Sequence, residues 1–159
     1  MTLTIPAQSW IDPVVAGEVQ RVGMPQPCMM PVFGRKLTTY QLARDFVVNW
    51  TGYRICVPAG LITDGASVPQ ILWSLGFPTD GLHRAGALVH DYLYALQGQD
   101  NDWLFSREDC DDIFHDLMLR AGVSTARARI MWAAVRACGW WAWSNPAGPE
   151  IREPFYEIT

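Results

Sequence analysis

Basic charge is scarce in this sequence, and so is charge of either sign. The chain has 12 Lys and Arg residues against 16 Asp and Glu residues, for a formal net charge of −4, and charged residues make up only 18% of it. General nucleic-acid binders need clustered basic side chains to neutralise phosphates. Here the basic residues are scattered, so we expect no nucleic acid among the partners. Half of the residues are hydrophobic, which predicts a packed fold rather than a disordered chain.

Closely spaced cysteines are also absent. No CxxC pair occurs, which argues against a zinc ribbon and against a redox motif. The opening letters MTLTIPAQSW contain no basic stretch followed by an apolar one, so we expect no signal peptide and synthesis in the cytoplasm. Cysteines in that reducing compartment commonly serve as small apolar core residues. We predict this role for all four, Cys28, Cys56, Cys110 and Cys138.

No hydrophobic run is long enough to cross a membrane. The most apolar stretch, residues 130–143, has about 14 residues and contains Arg136, whereas a membrane span needs about 20 apolar residues. We therefore predict a core helix and no transmembrane segment. The alternative is a helix that lies on a membrane surface, because Trp140, Trp141 and Trp143 cluster at one end, as interfacial aromatic anchors do.

The length fits one domain with an extended segment on either side. A chain of 159 residues is close to the usual size of a single domain, roughly 100 to 150 residues. Five prolines within residues 1–40 exclude a long helix there. We predict an extended N-terminal arm at 1–40, a single domain at 41–144 and an extended C-terminal tail at 145–159. Extended arms of this kind suit docking against neighbouring subunits.

Strand patterns come before helix patterns in the predicted domain. Apolar residues alternate between residues 42 and 58, and the dipeptide Thr51-Gly52 interrupts them as a hairpin turn would. Capping residues and the later Gly and Pro then mark four helices. This order predicts an α+β fold, with a small antiparallel sheet in the N-terminal half followed by a cluster of about four helices. The helices are predicted at about residues 67–75, 82–96, 106–122 and 125–143.

The first of these helices opens with a serine that could be mistaken for a nucleophile. Ser67 is followed three residues later by Gln70, with a proline between them, which is the pattern of a capping box. The setting GASVP lacks the strained, glycine-flanked elbow of a hydrolase serine. We therefore interpret Ser67 and Gln70 as a structural cap.

The second predicted helix carries a polar patch. At about 100° per residue, His90, Asp91 and Tyr94 project within one arc about 100° wide. Gly86 lies beside this arc and leaves room for another element, which favours a small cleft. On the third predicted helix, Asp111 lies at the edge of the apolar stripe and is the acid best placed to reach a half-buried partner. We predict that His90 and Asp111 form a pair.

Such a pair has a definite chemistry. An aspartate bonded to one histidine nitrogen fixes the tautomer and leaves the other nitrogen free as a base or a metal ligand. We predict His90, Tyr94 and Asp111 as catalytic residues, with Asp64, Asp91 and His90 as ligands of one divalent metal ion that would lower the pKa of its bound water. This site would hydrolyse an ester, amide or phosphoester. The alternative is a satisfied buried network that fixes the packing of two helices.

Several motifs, taken in order, resemble a known family. The strings VPAGLITDGASVPQILWSL, HRAGALVHDYLY, SREDCDDIFHDLM and ARIMWAAVRACGWWAW resemble the phage and prophage family known as domain of unknown function 1353 (DUF1353), over roughly residues 54–143. The resemblance implies a phage or prophage context, often near tail or lysis genes. In that context we expect a place in the virion tail, and the extended character of the terminal arms, which lie outside the resemblance, suits docking against other phage structural proteins. The resemblance implies no settled biochemical activity.

The polar patch also resembles enzyme sites. A His-Asp doublet, a tyrosine three residues after it and an aspartate on another helix are similar to the arrangement in secreted phospholipases A2, in which the first Asp binds calcium. Those enzymes depend on many disulfides and a glycine-rich calcium loop, from which this chain departs. HD phosphohydrolases also carry a His-Asp doublet, but their other ligands come from separate helices.

Three functions follow as hypotheses. The first is a tail-associated phage protein with a metal-assisted hydrolytic site directed at the host cell envelope. The second is a non-enzymatic structural or docking component of the tail, in which the same cluster is a buried structural network. The third is an intracellular modulator of host defence or lysis.

Overall fold

The computed structural model describes residues 3–5, 27, 29–32, 39–63, 82–101, 103–153 and 156–158. Within these residues the chain forms ten short strands and four helices. It divides into two compact units, Met1–Asp64 with Glu150–Thr159, and Gly65–Pro149. In chain order the elements are β1 (Leu3–Ile5), β2 (Met29–Pro31), β3 (Tyr40–Leu42), β4 (Phe46–Trp50), β5 (Tyr53–Val57), β6 (Leu61–Thr63), α1 (Arg84–Ala95), β7 (Gln99–Asp100), β8 (Trp103–Leu104), α2 (Arg107–Arg120), α3 (Thr125–Cys138), α4 (Trp140–Ser144), β9 (Glu150–Ile151) and β10 (Tyr156–Ile158).

The first unit contains only strands among its described residues. A four-stranded antiparallel sheet has the order β2-β3-β6-β9, and β4 pairs with β5 as a separate hairpin. Thr51 and Gly52 join β4 to β5 with φ angles of 46° and 88°, the left-handed conformation that a tight hairpin turn requires. The predicted hairpin is confirmed, and strands followed by helices confirm the α+β fold.

Segments predicted as an arm and a tail contribute strands to this unit. β2 lies within residues 1–40, and β9 pairs antiparallel with β6. The two strands nearest the ends, β1 and β10, form a parallel pair with Leu3 opposite Tyr156. The division of the chain at residues 40 and 145 stays a prediction.

The second unit is a helical cluster with its own core. α2 packs against both α1 and α3. α1 and α2 approach closely at Gly86, where an added Cβ would lie 3.1 Å from the Phe114 ring. The prediction that Gly86 leaves room for another element is confirmed, and Phe114 of that element fills the space in which a cleft was expected. The buried core residues shared by the three helices are Ala87, Phe114, Met118, Ala128, Met131 and Val135.

Two of the described helices begin at serine caps. Ser106 caps α2 in a reciprocal capping box with Asp109, and Ser124 caps α3, as the polar residues before each apolar pattern predict. The single helix predicted over 125–143 is wrong, because the chain breaks at Gly139 between α3 and α4.

The second half of that stretch is not core. Buried residues occur in α3, but α4 has none, and Trp140 and Trp141 are exposed. Among the cysteines, Cys110 is buried, Cys56 is half-buried and Cys138 is exposed, so the core prediction is wrong for Cys138, while Cys28 lies outside the described residues. None of the helices described here is both long enough and apolar enough to cross a bilayer.

Candidate functional site

A fully buried carboxylate, Asp111 of α2, bonds to side chains from two other helices. Tyr94 Oη donates to Asp111 Oδ1 over 2.6 Å, and His90 Nε2 lies 2.9 Å from the same oxygen. Arg136 Nε donates to Asp111 Oδ2 over 2.8 Å. We call these four residues the Asp111 cluster. The pair that the sequence predicts, His90 with Asp111, is therefore present.

The cluster forms because of helical spacing. His90 and Tyr94 are four residues apart on α1, so they lie one above the other on the face that meets α2. The ring of His90 lies between those of Tyr94, 4.0 Å away between centroids, and Phe114, 5.1 Å away. Gly139, which follows α3, has its Cα so close that an added Cβ would lie 2.5 Å from Tyr94 Oη. A glycine at the helix break thus makes room for the tyrosine hydroxyl.

Arg136 connects the cluster to the third helix. Its Nη2 donates to the Glu108 carbonyl over 3.0 Å and to Asp112 Oδ1 over 2.9 Å, and its guanidinium carbon lies 5.0 Å from the centre of the Trp132 ring. A guanidinium group held by several hydrogen bonds has little conformational freedom. The arginine is thereby fixed as the closer of two positive partners of Asp111, since Arg107 Nη1 lies 3.6 Å from the same oxygen, Oδ2.

The charge state of the cluster follows from burial and these bonds. Burial lowers the pKa of His90 below its usual value and outweighs the bond to Asp111, which acts in the opposite direction. Burial alone would raise the pKa of Asp111, but the hydrogen bonds with His90 and Tyr94 and the charge of Arg136 lower it overall. Burial and Asp111 raise the pKa of Tyr94, which remains a donor. We conclude that a neutral His90 faces an ionised Asp111.

This charge state fixes the histidine tautomer. A carboxylate only accepts hydrogen bonds, so His90 Nε2 carries the hydrogen and donates a hydrogen bond to Asp111, and Nδ1 carries the lone pair. His90 Nδ1 is buried and has no hydrogen-bond partner within the part of the chain that the structure describes. His83 Nε2 and His115 Nε2 are also buried without a hydrogen-bond partner among the described residues, but His90 differs in that its other ring nitrogen bonds to a buried carboxylate. His90 Nδ1 is therefore the atom at which proton transfer or metal ligation would take place.

The other predicted site residues are only partly placed. Asp91 follows His90 on α1 and is half-buried, whereas Asp64, Ser67 and Gln70 lie outside the described residues. Across the ranges that the structure describes, no three or more His, Cys, Asp or Glu side chains are grouped to hold a metal ion. An imidazole nitrogen and carboxylate oxygens suit a divalent cation, and the metal set of Asp64, Asp91 and His90 stays a prediction.

Sequence reasoning missed Arg136 and Gly139. Arg136 is the only charged residue in the apolar stretch 130–143, and a lone charge in such a stretch needs a partner when the helix packs. That signal could have connected it with an acid on α2. Gly139 gave no signal of its contact with Tyr94. His115, which the sequence places on the surface unless its ring turns inward, is half-buried with its ring 6.0 Å from that of Trp132.

Comparison with known proteins gives a family and one relative. A family model described as "Protein of unknown function (DUF1353)" matches residues 40–135. The chain is similar to the "Uncharacterized protein y4jT" of Sinorhizobium fredii (strain NBRC 101917 / NGR234), with 30% identity over 102 residues, which is 63% of this chain and 29% of that protein. The chain thus spans less than a third of that relative's length. No solved structure matches it. His90, Tyr94 and Asp111 fall within the family match, and Arg136 lies just beyond it.

Proposed function

The chain belongs to the DUF1353 protein family, and we propose that it is a phage or prophage protein, associated with the tail, whose Asp111 cluster serves a metal-assisted hydrolytic site directed at the host cell envelope. The phage context rests on the family resemblance. The hydrolytic site rests on one observation, that Asp111 holds His90 through Nε2 while the buried Nδ1 has no partner among the described residues.

In this proposal His90 is the general base. Its Nδ1 accepts a proton from a water molecule as the water attacks the carbonyl or phosphoryl group of the substrate. The positive charge that develops on the imidazole is stabilised by Asp111, and Tyr94 and Arg136 hold Asp111 in orientation. Asp91 and Asp64 would hold a divalent cation, which when bound supplies a water of lowered pKa.

The resemblance to secreted phospholipases A2 favours one substrate class. There, as in this chain, a His-Asp doublet on one helix meets an aspartate from another. His90 bonds to Asp111 through Nε2, and its Nδ1 lies on the other side of the ring. A histidine that activates water needs this orientation, with one nitrogen held by a carboxylate and the other free to accept a proton. We therefore place an ester of an envelope lipid first among the substrates to test, ahead of peptidoglycan.

One substitution separates the catalytic role from the structural one. His90→Gln keeps an amide N–H near the position of Nε2, where it can donate to Asp111, but has no basic nitrogen. We expect wild type to hydrolyse phospholipid or peptidoglycan when calcium, magnesium or zinc is added, and His90→Gln to be folded and inactive. His115→Gln, a histidine outside the Asp111 cluster, is the matched control and should keep activity. Wild type inert on both substrate panels with each cation would contradict the proposal.

A second candidate function is supported by the burial of the same residues. Asp111 has no exposed surface, and His90 is only 2% exposed, as expected of a network that joins helices in a non-enzymatic tail component. In that case His90→Ala would cost a few kcal/mol of stability, because a buried carboxylate loses a donor. His90→Gln would then keep both fold and biological function, which is the opposite of the outcome for a base.

A further inference from the structure

Arg107 is the first residue of α2, which is an unfavourable place for a positive charge. A helix carries a partial positive charge at its N-terminus, where acidic residues are favoured, and Glu108 and Asp109 of the same turn follow this rule. The Arg107 side chain is nevertheless only 19% exposed. A basic side chain that is largely buried at this end of a helix needs partners on other elements.

One partner of Arg107 is the end of α3. Its Nη1 donates to the Arg136 carbonyl over 3.0 Å. That carbonyl lies in the last turn of α3, where backbone oxygens lose the donors that a continuing helix would supply, because the chain breaks at Gly139. The helix dipole also favours a cation at this end. Arg107 therefore supplies a donor and a positive charge next to the helix break.

The second partner of Arg107 is the buried carboxylate. Arg107 Nη1 lies 3.6 Å from Asp111 Oδ2, the oxygen to which Arg136 Nε donates. The same nitrogen thus lies between this carboxylate and the carbonyl at the end of α3. Burial raises the pKa of Tyr94, and the Arg107 guanidinium acts in the opposite direction, so its charge also reaches the tyrosine. Displacement of Arg107 would loosen Asp111 and the end of α3 together.

The end of α3 matters to the site because of Tyr94. Gly139 leaves room for the tyrosine hydroxyl, which donates to the same oxygen of Asp111 that His90 Nε2 contacts. An arginine that holds the end of α3 near Asp111 therefore also holds the backbone against which Tyr94 Oη packs. The orientation of His90 depends on both contacts, because both keep Asp111 in place.

We propose that Arg107 is a positioning residue of the Asp111 cluster, which ties the carboxylate to the end of α3 so that Asp111 keeps His90 oriented. In the proposed hydrolysis it acts through Asp111 and not on the substrate. Its effect on turnover rests on the proposed function. Its effect on the hydrogen bond between His90 and Asp111 does not.

The first measurement is the proton NMR resonance of His90 Nε2–H, assigned by its loss in His90→Gln. In wild type the bond to Asp111 should slow exchange with water and give a sharp signal. Arg107→Met removes the guanidinium group and should broaden this signal through faster exchange. Arg120→Met is the matched control, because Arg120 is an arginine of the same helix with its own ion pair, to Asp116 over 2.9 Å. It should leave the signal sharp.

The second measurement separates positioning from substrate binding. On the substrate that wild type hydrolyses, Arg107→Met should lower kcat roughly tenfold, the size expected when one hydrogen bond is lost from the transition state, and should leave KM unchanged. Arg107→Lys keeps the charge but replaces a planar fork with a compact ammonium group, so it should restore part of kcat and part of the His90 signal. Arg120→Met should retain the kcat of wild type.

The proposal is overturned if Arg107→Met keeps both a sharp His90 signal and the kcat of wild type. A rise in KM without a fall in kcat would also overturn it, because Arg107 would then bind substrate. If Arg107→Met does not fold, Arg107→Lys decides, since a signal and a kcat equal to those of wild type would show that the double contact is dispensable. Wild type inert on every substrate would remove the proposed hydrolysis, and the His90 signal alone would then confirm or overturn the positioning role.

Discussion

Arg136 Nε lies 2.8 Å from Asp111 Oδ2, and this contact joins the third helix to a carboxylate that has no exposed surface. Asp111 therefore receives donors on both oxygens, with His90 and Tyr94 on one and Arg136 on the other. The hydrogen bonds from His90 and Tyr94, and then the charge of Arg136, lower the pKa of this buried carboxylate, and the ionised carboxylate in turn fixes the histidine tautomer.

Removal of the arginine charge should destabilise the protein. Arg136→Met keeps much of the side-chain volume but removes the closer of the two arginines beside Asp111, the other being Arg107, whose Nη1 lies 3.6 Å from Asp111 Oδ2. We therefore expect a loss of about 2–3 kcal/mol in the free energy of unfolding. Urea unfolding of the variant and of wild type measures this difference in the free energy of unfolding. Arg129→Met, at an exposed position of the same helix, should change stability by less than about 0.5 kcal/mol. Equal effects of the two substitutions would contradict the assigned contact.

Stability should fall as the solution becomes mildly acidic. The pKa of His90 is lowered in the folded state, so below about pH 6.5 the unfolded chain binds a proton that the folded chain does not. The free energy of unfolding should therefore be highest above this pH and decrease as pH falls towards the folded pKa. Burial and then Arg127 lower the pKa of His83 as well, so His90→Gln and His83→Gln should each remove only part of the slope. A slope unchanged in His90→Gln would contradict the assignment of a neutral, buried His90.

A methyl group at residue 139 should disturb Tyr94. The added Cβ of Gly139→Ala would lie 2.5 Å from both Tyr94 Oη and the Val135 carbonyl, and we expect a loss of about 1–3 kcal/mol. Tyr94→Phe removes the hydroxyl and its bond to Asp111, at a cost of about 1–2 kcal/mol. The loss in the double variant should be smaller than the sum of the two single losses, because Tyr94→Phe leaves no hydroxyl for the added methyl group to clash with. Strict additivity in a thermal or urea double-mutant cycle would show that the two residues do not interact.

The cysteines should differ sharply in reactivity. Burial, followed by the negative charge of Asp111, raises the pKa of the Cys110 thiol to about 12, whereas Cys138 is exposed. An aromatic disulfide reagent should therefore label Cys138 in the native protein and Cys110 only on unfolding. Cys138→Ser should remove a fast phase of labelling that Cys110→Ser retains. A fast phase of equal amplitude in both variants would contradict this placement of the two thiols.

Local features of the fold were predictable because their causes lie within a few residues. Thr51-Gly52 predicts its hairpin, and Ser106 with Asp109 predicts the start of α2, since turns and caps depend on the backbone conformation of adjacent residues. The pairing of His90 with Asp111 was predictable for a related reason, because helical periodicity places each residue on the face that meets the neighbouring helix.

Features that depend on how helices meet were not predictable from the pattern. Arg136 reaches Asp111 only because α3 packs against α2. A lone charge in an apolar stretch signals that it needs a partner, but no spacing along the chain says which acid that partner is. The chain breaks at Gly139, where Tyr94 Oη leaves no room for a side chain. Apolar character alone therefore predicted a longer, buried helix. The roles of Asp64, Ser67 and Gln70 stay predictions, since they lie outside the described part of the chain.

The arrangement around Asp111 also determines how the helices come apart. α1, α2 and α3 each contribute at least one side chain to the network around the Asp111 carboxylate. Detaching any one of these helices would break hydrogen bonds that this buried charge needs. Opening of one helix therefore loses hydrogen bonds that all three helices share. The three helices should therefore open as one cooperative block, with the same free energy of opening for their slowest-exchanging amide protons.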